Sequence, residues 1–285
     1  MKKKEKLLIA GGDIRQIYCG LRLADRYDTA YIGFDKKYTS LFGDIRAASE
    51  EEQFDYAVLP VPPLDGEDIN SPCSEAELSV NSIKKLLKPG GIILAGQVKN
   101  NLRELFPEYE IIDYMQREEL NLYNAIPSAE GAVQIALEEL PVTLNGLSVL
   151  IVGCGRIGSA LIGILRGFGA EVSVAVRNSQ GAAKAKLLGA KTCCTNNIFT
   201  KADLVFNTVP DMIFDRGKLS LFSQNTLFID LASKPGGIDF DAAAELGYKA
   251  IWALGLPGKT APITAGEIIA DTINGILTER GEACG

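Results

Sequence analysis

The 285-residue chain contains no histidine. That absence excludes Ser-His-Asp and Cys-His nucleophile systems and any zinc site with imidazole ligands. It also removes the side chain that most often carries protons near neutral pH, so any acid–base step falls to Lys, Tyr, Cys or a carboxylate. Cysteines stand at 19, 73, 154, 193, 194 and 284 without a C-x-x-C pair, which leaves neither a zinc ribbon nor a thioredoxin-type redox pair. Cys193 and Cys194 are adjacent and read as small buried or surface thiols. No metal site is expected. Long apolar runs are missing too. Nothing approaches the roughly 18 residues of a membrane span, and the LLIAGG run after MKKKEK is too short for a signal peptide. Basic charge is in deficit, 29 Lys plus Arg against 36 Asp plus Glu for a net −7, so no nucleic-acid partner is expected. The expectation is a soluble protein of the reducing cytoplasm with no membrane partner.

What is present is a regular alternation of short apolar runs and helix-length amphipathic segments, the pattern of an α/β protein with parallel sheets. Runs at 7–10, 29–33, 56–59, 92–95 and 110–113 read as strands of a first half. Those at 148–152, 171–176, 204–207, 226–231 and 250–254 read as strands of a second. A helix at 75–87 is stopped by Lys88-Pro89-Gly90-Gly91. The halves also rhyme: LLIAGGDIRQ (7–16) resembles VLIVGCGRIG (149–158), and FDYAVLPVP (54–62) resembles ADLVFNTVP (202–210). The spacing predicts two tandem Rossmann-like domains, 1–124 and 125–285. A long helix at 127–140, with Pro127 in its first turn, links them. A closing helix at 264–277 is expected to pack back on the first domain, by fold analogy.

Gly153-Cys154-Gly155-Arg156-Ile157-Gly158 is a G-x-G-x-x-G between a strand and a helix, the setting that motif needs to bind a dinucleotide. Gly153 permits the tight turn, Gly155 lets the pyrophosphate approach, and Gly158 lets helix and strand pack closely. The phosphates then meet the positive end of the helix expected at 159–168, with Arg156 and Ile157 in the turn before it. The next strand should end on an acid if NAD is the ligand, yet it ends Val176-Arg177-Asn178-Ser179. Arg177 offers a fork to a 2′-phosphate and Asn178 and Ser179 add neutral donors, so NADP is the expected cofactor. The alternative for Arg177 is a solvated surface side chain. Thr208, Val209 and Pro210 end a nucleotide-domain strand and should pass under the cofactor's ribose. In the first half, Gly11-Gly12-Asp13-Ile14-Arg15-Gln16 has Gln16 where the third glycine would stand. Asp13, Arg15 and Gln16 therefore read as substrate-side groups at a strand's carboxyl end, with Arg15 suited to a carboxylate. The alternative is a polar turn paired internally as Asp13–Arg15.

GGDIRQ (11–16), NAIPSAEGA (124–132), DLASKPGG (230–237) and GLPGKTAPITAG (255–266) carry more information than the fingerprint. Together, in this order, they resemble the dipicolinate synthase A-subunit family of endospore-forming bacteria. The resemblance runs over nearly the whole chain and is weakest at 36–52, 63–74 and 178–200. It implies oxidation of a dihydrodipicolinate-type cyclic dicarboxylate to dipicolinate, with NADP as hydride acceptor, in the mother-cell cytoplasm during sporulation. It also implies a second polypeptide, the flavoprotein-like dipicolinate synthase B-subunit, and a homo-oligomer is expected. Broader kin, the alanine dehydrogenase-like and D-2-hydroxyacid dehydrogenase-like enzymes, commonly use a catalytic histidine that this chain lacks.

DLASKPGG follows the strand ending at Asp230, which puts Ser233 and Lys234 at the sheet's carboxyl edge beside the nicotinamide. Lys234 is the first candidate for catalysis, partly buried and either binding a carboxylate or relaying a proton. The alternative is a loop lysine clear of the site. Asp230 and Gly255 are expected at the cofactor, and Ser233 at the substrate. Arg117 is a second cationic clamp, or else one side of a helix-surface ion pair. Asn124, Ser128 and Glu130 from the linking segment are polar orienters. Two other functions remain open: a different two-domain NADP-dependent amino-, imino- or hydroxy-acid dehydrogenase, and a non-catalytic NADP-binding regulatory subunit.

Overall fold

The structure, a computed structural model, describes residues 4–283; Cys284 and the start of MKKKEK lie outside the described residues. The described residues form two compact units. One comprises those up to Asn124 together with those from Ala261 onward, the other Ala125–Thr260. No helix among them is long and apolar enough to cross a membrane.

The first unit holds a parallel sheet of β1 (Lys6–Ala10), β2 (Asp28–Ile32), β3 (Arg46–Ala47), β4 (Phe54–Val58), β7 (Leu87–Ala95) and β8 (Glu110–Asp113), in the order β3-β2-β1-β4-β7-β8. A small hairpin, β5 (Leu64–Asp65) and β6 (Asp68–Ile69), stands apart from it. Its helices are α1 (Ile14–Leu23), α2 (Lys36–Thr39), α3 (Val80–Leu86) and α4 (Asn100–Leu105). A helix α5 (Glu118–Glu139) runs from this unit into the second.

The second unit repeats the scheme with β9 (Ser148–Val152), β10 (Glu171–Val176), β11 (Lys191–Cys194), β12 (Leu204–Asn207), β13 (Leu227–Asp230) and β14 (Lys249–Trp252). Its order, β11-β10-β9-β12-β13-β14, is that of the first sheet. Helices α6 (Arg156–Gly167), α7 (Ser179–Leu187), α8 (Arg216–Leu219), α9 (Phe240–Glu245) and α10 (Leu256–Thr260) belong to it. The last helix, α11 (Pro262–Ala283), returns to the first unit.

Alternate residues of a strand face opposite sides of its sheet. In β1, Leu7 and Ile9 enter one core and Leu8 and Ala10 the other; in β9, Val149 and Ile151 part from Leu150 and Val152 in the same way. Both faces are covered, so these strands read as unbroken apolar runs. The two sequence rhymes fall on equivalent elements. β1 and β9 lead into the first helix of each unit, and β4 and β12 pair beside them.

Element boundaries differ from the sequence expectation in five places, each with a local cause. The linking helix begins at Glu118, not 127: two first-turn acids favour its positive end, and Pro127 is carried inside it. The closing helix spans Pro262–Ala283, beyond 264–277, with proline at the first helical position. It belongs with the first unit, although chain order alone assigns it to 125–285. Its Ile269, Ala270, Ile273, Ile276 and Leu277 share a core with Leu7, Ile9 and Ile17. The helix expected at 75–87 starts only at Val80, where Ser79 caps it by accepting from the Asn81 amide. The helix expected from 159 begins at Arg156. The edge strands β3 and β11 have no apolar periodicity to announce them, being largely exposed.

Because α11 completes the first unit's core, Ile273→Ala should cost about 2–5 kcal/mol there. Hydrogen exchange should then show lost protection at amides of β1 and β4, with those of β9 unchanged. Equal loss in both units would contradict the assignment.

A dinucleotide groove and two unlike turns

The second sheet ends in a groove of about 410 Å³ built from the β9, β10, β11 and β12 carboxyl ends. Gly153, Gly155, Thr208, Val209 and Pro210 line one side, and Arg177 and Asn178 the other. Gly153 takes φ +95, and a Cβ on it would lie 2.5 Å from Thr208 Oγ1, so both backbone and space require glycine. A Cβ at Gly158 would lie 2.3 Å from the Gly153 carbonyl oxygen, a backbone atom that cannot swing aside. This contact brings α6 down onto the β9 turn. At Gly155, by contrast, a Cβ would meet nothing within 4 Å, and the residue caps α6 without a side chain to accept from its first turn. Open space above the positive end of a helix is what a pyrophosphate needs, so the residues present fit a dinucleotide. Arg156 and Ile157 form the first turn of α6, beside rather than among the lining residues.

At the far end, Arg177 Nη1 lies 3.3 Å from Asp211 Oδ2, both side chains being largely exposed. Asn178 caps α7 by accepting from the Gly181 amide at 2.8 Å, which commits its oxygen and leaves only its amide protons for a ligand. Ser179 is the first residue of α7 and does not line the groove. No Asp or Glu is among the residues that do. Lys184, Gln180 and Thr195 line it and were missed in the sequence. A helical face of 180, 181 and 184 could have revealed the first two, whereas Thr195 follows the unannounced strand β11.

Asp230 does not reach the groove. It is wholly buried, with Oδ1 accepting from Asn207 Nδ2 (2.8 Å) and the Ala232 amide (3.0 Å), and Oδ2 from the Gly237 amide (2.7 Å). Three donors within its own unit occupy both oxygens of this buried carboxylate, so it shapes the 231–237 loop instead of facing a ligand. Trp252 supports the same loop through its indole N–H, 3.0 Å from the Ala232 carbonyl. Ser233 and Lys234 ride on that loop and are exposed, so the partial burial expected of Lys234 is absent from this unit. Gly255 follows β14 with φ +69 and open space where a Cβ would be. Of the residues expected as orienters, all on α5, Ser128 is buried, Glu130 exposed and Asn124 half-buried.

The first unit's turn has been put to another use. Gly12 donates its N–H to the Asn70 carbonyl at 2.8 Å, and Ser71 Oγ lies 2.5 Å from where a Gly11 Cβ would be. Residues 69–71 therefore fold over the turn. Gln16 packs beneath Gly12, buried, with its Oε1 unpaired. Asp13 holds Arg15 through Nε (2.9 Å) and Nη2 (2.8 Å), the internal pairing, while Nη2 also reaches the Val61 carbonyl at 3.3 Å. Burial opposes the Arg15 charge, but the Asp13 hydrogen bond and charge outweigh it and raise its pKa. Arg117 is committed elsewhere. Its guanidinium binds Glu279 at 2.6 and 2.7 Å and Glu119 at 2.5 Å, which is the surface ion-pair reading. Burial drives the Tyr114 hydroxyl, which donates to the Leu59 carbonyl at 3.0 Å, and the Cys19 thiol well above their ordinary pKa values. Neither can accept a proton near neutrality.

Comparison with known proteins agrees with this division. Residues 6–115 match the family model for the N-terminal domain of the dipicolinate synthase A-subunit. Residues 126–241 match the model for the NAD binding domain of D-isomer specific 2-hydroxyacid dehydrogenase. The dipicolinate synthase A-subunit of Bacillus subtilis (strain 168) is 30% identical over 285 residues, covering 96% of each chain. The chain belongs to the dipicolinate synthase A-subunit family. Crystal structures of two such proteins superpose on it. That from Bacillus halodurans gives a TM-score of 0.87 at 28% identity, over 97% of this chain and 99% of that one. That from Bacillus subtilis gives 0.86 at 29% identity, over 98% and 97%. This member of the dipicolinate synthase A-subunit family is thus of the dehydrogenase type, with a nicotinamide-dinucleotide domain in its second unit.

With one open turn and one covered turn, dinucleotide titration by calorimetry should saturate at one molecule per chain. Gly158→Ala should weaken binding about 100-fold, because α6 must lift off the turn. Two equivalents bound, or an unaffected variant, would contradict this geometry.

Proposed function

We propose that the chain is the NADP-dependent oxidoreductase component that converts a dihydrodipicolinate-type cyclic dicarboxylate to dipicolinate during sporulation. Likeness to the dipicolinate synthase A-subunit, over 96% of the chain, carries the reading. Arg177 supports NADP over NAD, because none of the groove's lining residues is an acid that would take a ribose 2′-hydroxyl, and Asp211, bordering the groove, is paired with the guanidinium. The second unit binds the cofactor and the first recognises substrate.

Bound NADP⁺ supplies the hydride acceptor. The substrate ring loses one hydride and one proton, giving dipicolinate, NADPH and H⁺. Aromatisation drives the step, so the protein chiefly holds the ring and its two carboxylates in place. That demand suits a chain with no histidine. In the second unit, Lys234 and Ser233 are the exposed polar groups at the carboxyl edge of the sheet, and Lys234 binds a carboxylate or takes the proton. In the first unit, Arg15 is the carboxylate-binding group: Asp13 fixes two of its nitrogens, and among the described residues Nη1 keeps its donors for a ligand. The same reading supplies a partner, the flavoprotein-like B-subunit, together with a homo-oligomeric state and a mother-cell cytoplasmic location.

Incubation with NADP⁺ and the lysine-pathway condensation product should yield ultraviolet-absorbing dipicolinate, with or without the B-subunit. No product with both polypeptides present would overturn the assignment. Lys234→Met should cut turnover about 10²–10⁴-fold if Lys234 moves the proton, with NADP binding intact. Arg177→Asp should lower the preference for NADP over NAD about tenfold or more.

A further inference from the structure

We infer that Lys184 is the second cation of the 2′-phosphate subsite, setting cofactor preference together with Arg177. This rests on the NADP reading above. Lys184 lines the groove that Arg177 and Asn178 line, standing at the third position after Gly181 on α7. Gly181 and Gln180 lie three and four residues before Lys184, so both neighbour it on one side of the helix. Gly181 keeps that side tight against the sheet: a Cβ there would lie 3.2 Å from Val176 Cγ1 and 3.3 Å from Asn178 Oδ1. The helix is thereby held against the end of β10, where the adenosine ribose of a dinucleotide lies in this fold.

Charge arithmetic calls for a second cation. A phosphomonoester carries about −1.5 to −2 charge at pH 7, and Arg177, the other basic residue at this end of the groove, already shares its charge with Asp211 at 3.3 Å. Lys184 is exposed and forms no ion pair among the described residues, while Lys191 of β11 is taken by Glu171. A cation that lines a groove whose other lining residues include no acid, on a chain of net charge −7, is poised for an anionic ligand. The two cations divide the work by their chemistry. The planar Arg177 fork binds phosphate oxygens with direction, and the Lys184 ammonium neutralises the remainder as a point charge.

Calorimetry on the full chain with NADP⁺, NAD⁺ and 2′,5′-ADP tests the inference in the unmodified protein, Lys184→Gln and Lys184→Arg. Lys184→Gln should weaken NADP⁺ and 2′,5′-ADP about tenfold, which corresponds to about 1.4 kcal/mol, and leave NAD⁺ within about twofold. Lys184→Arg should restore most of the affinity, and the salt dependence of NADP⁺ binding should be shallower in Lys184→Gln. Equal weakening of both dinucleotides would place Lys184 at the pyrophosphate and overturn the inference, as would no change in either. If the unmodified chain binds NAD⁺ as tightly as NADP⁺, the cofactor reading itself fails, before any variant is measured.

Discussion

A parallel strand buried on both faces is the constraint from which the rest of this structure follows. Beyond their first residues, Lys6 and Ser148, β1 and β9 have no solvent side, so each is apolar from there on and must be covered above and below. Helices supply the cover, and returning each crossover to the same edge of the sheet gathers the loops at the carboxyl ends. The chain meets this constraint twice, with the same strand order. In the first unit the cover is incomplete without α11, which is why the last helix in sequence belongs to the first unit in space.

From that shared scaffold the two units diverge in the first turn, most consequentially where Gly155 and Gly158 stand against Asp13 and Gln16. Gly158 lets α6 touch the Gly153 carbonyl and leaves the space above Gly155 open. Gln16 fills the matching position, and the 69–71 segment closes over Gly11 and Gly12. One turn presents a helix end to phosphates. The other has spent its second glycine N–H on its own chain and displays the Asp13–Arg15 pair. A repeated fold has thus been split into a cofactor half and a half free to recognise something else.

The missing histidine sharpens how the chemistry must be divided. Burial holds the thiol of Cys19 and the hydroxyl of Tyr114, which feels the Arg15 charge, protonated. Lys234, by contrast, stands exposed on a loop that Asp230 and Trp252 hold in shape. The proposed reaction, with its aromatic product, asks little of a base. Binding cations matter more on a chain with net charge −7.

Much of this architecture is legible in the sequence alone. Ten apolar runs, two glycine turns and their rhyme determined a pair of Rossmann-like units, because periodicity and turn chemistry act over a few residues. The acid-free end of β10 was legible for the same reason. Tertiary structure alone decided what depends on distant segments meeting. Asp230 carries a strand-end position yet is consumed by Asn207, Ala232 and Gly237, and Arg117 is consumed by Glu279, 162 residues away. Lys184 enters the groove only because α7 lies against β10. A side chain's type is written in the sequence, but whether its charge is free or already paired is settled by neighbours that the fold brings from elsewhere in the chain.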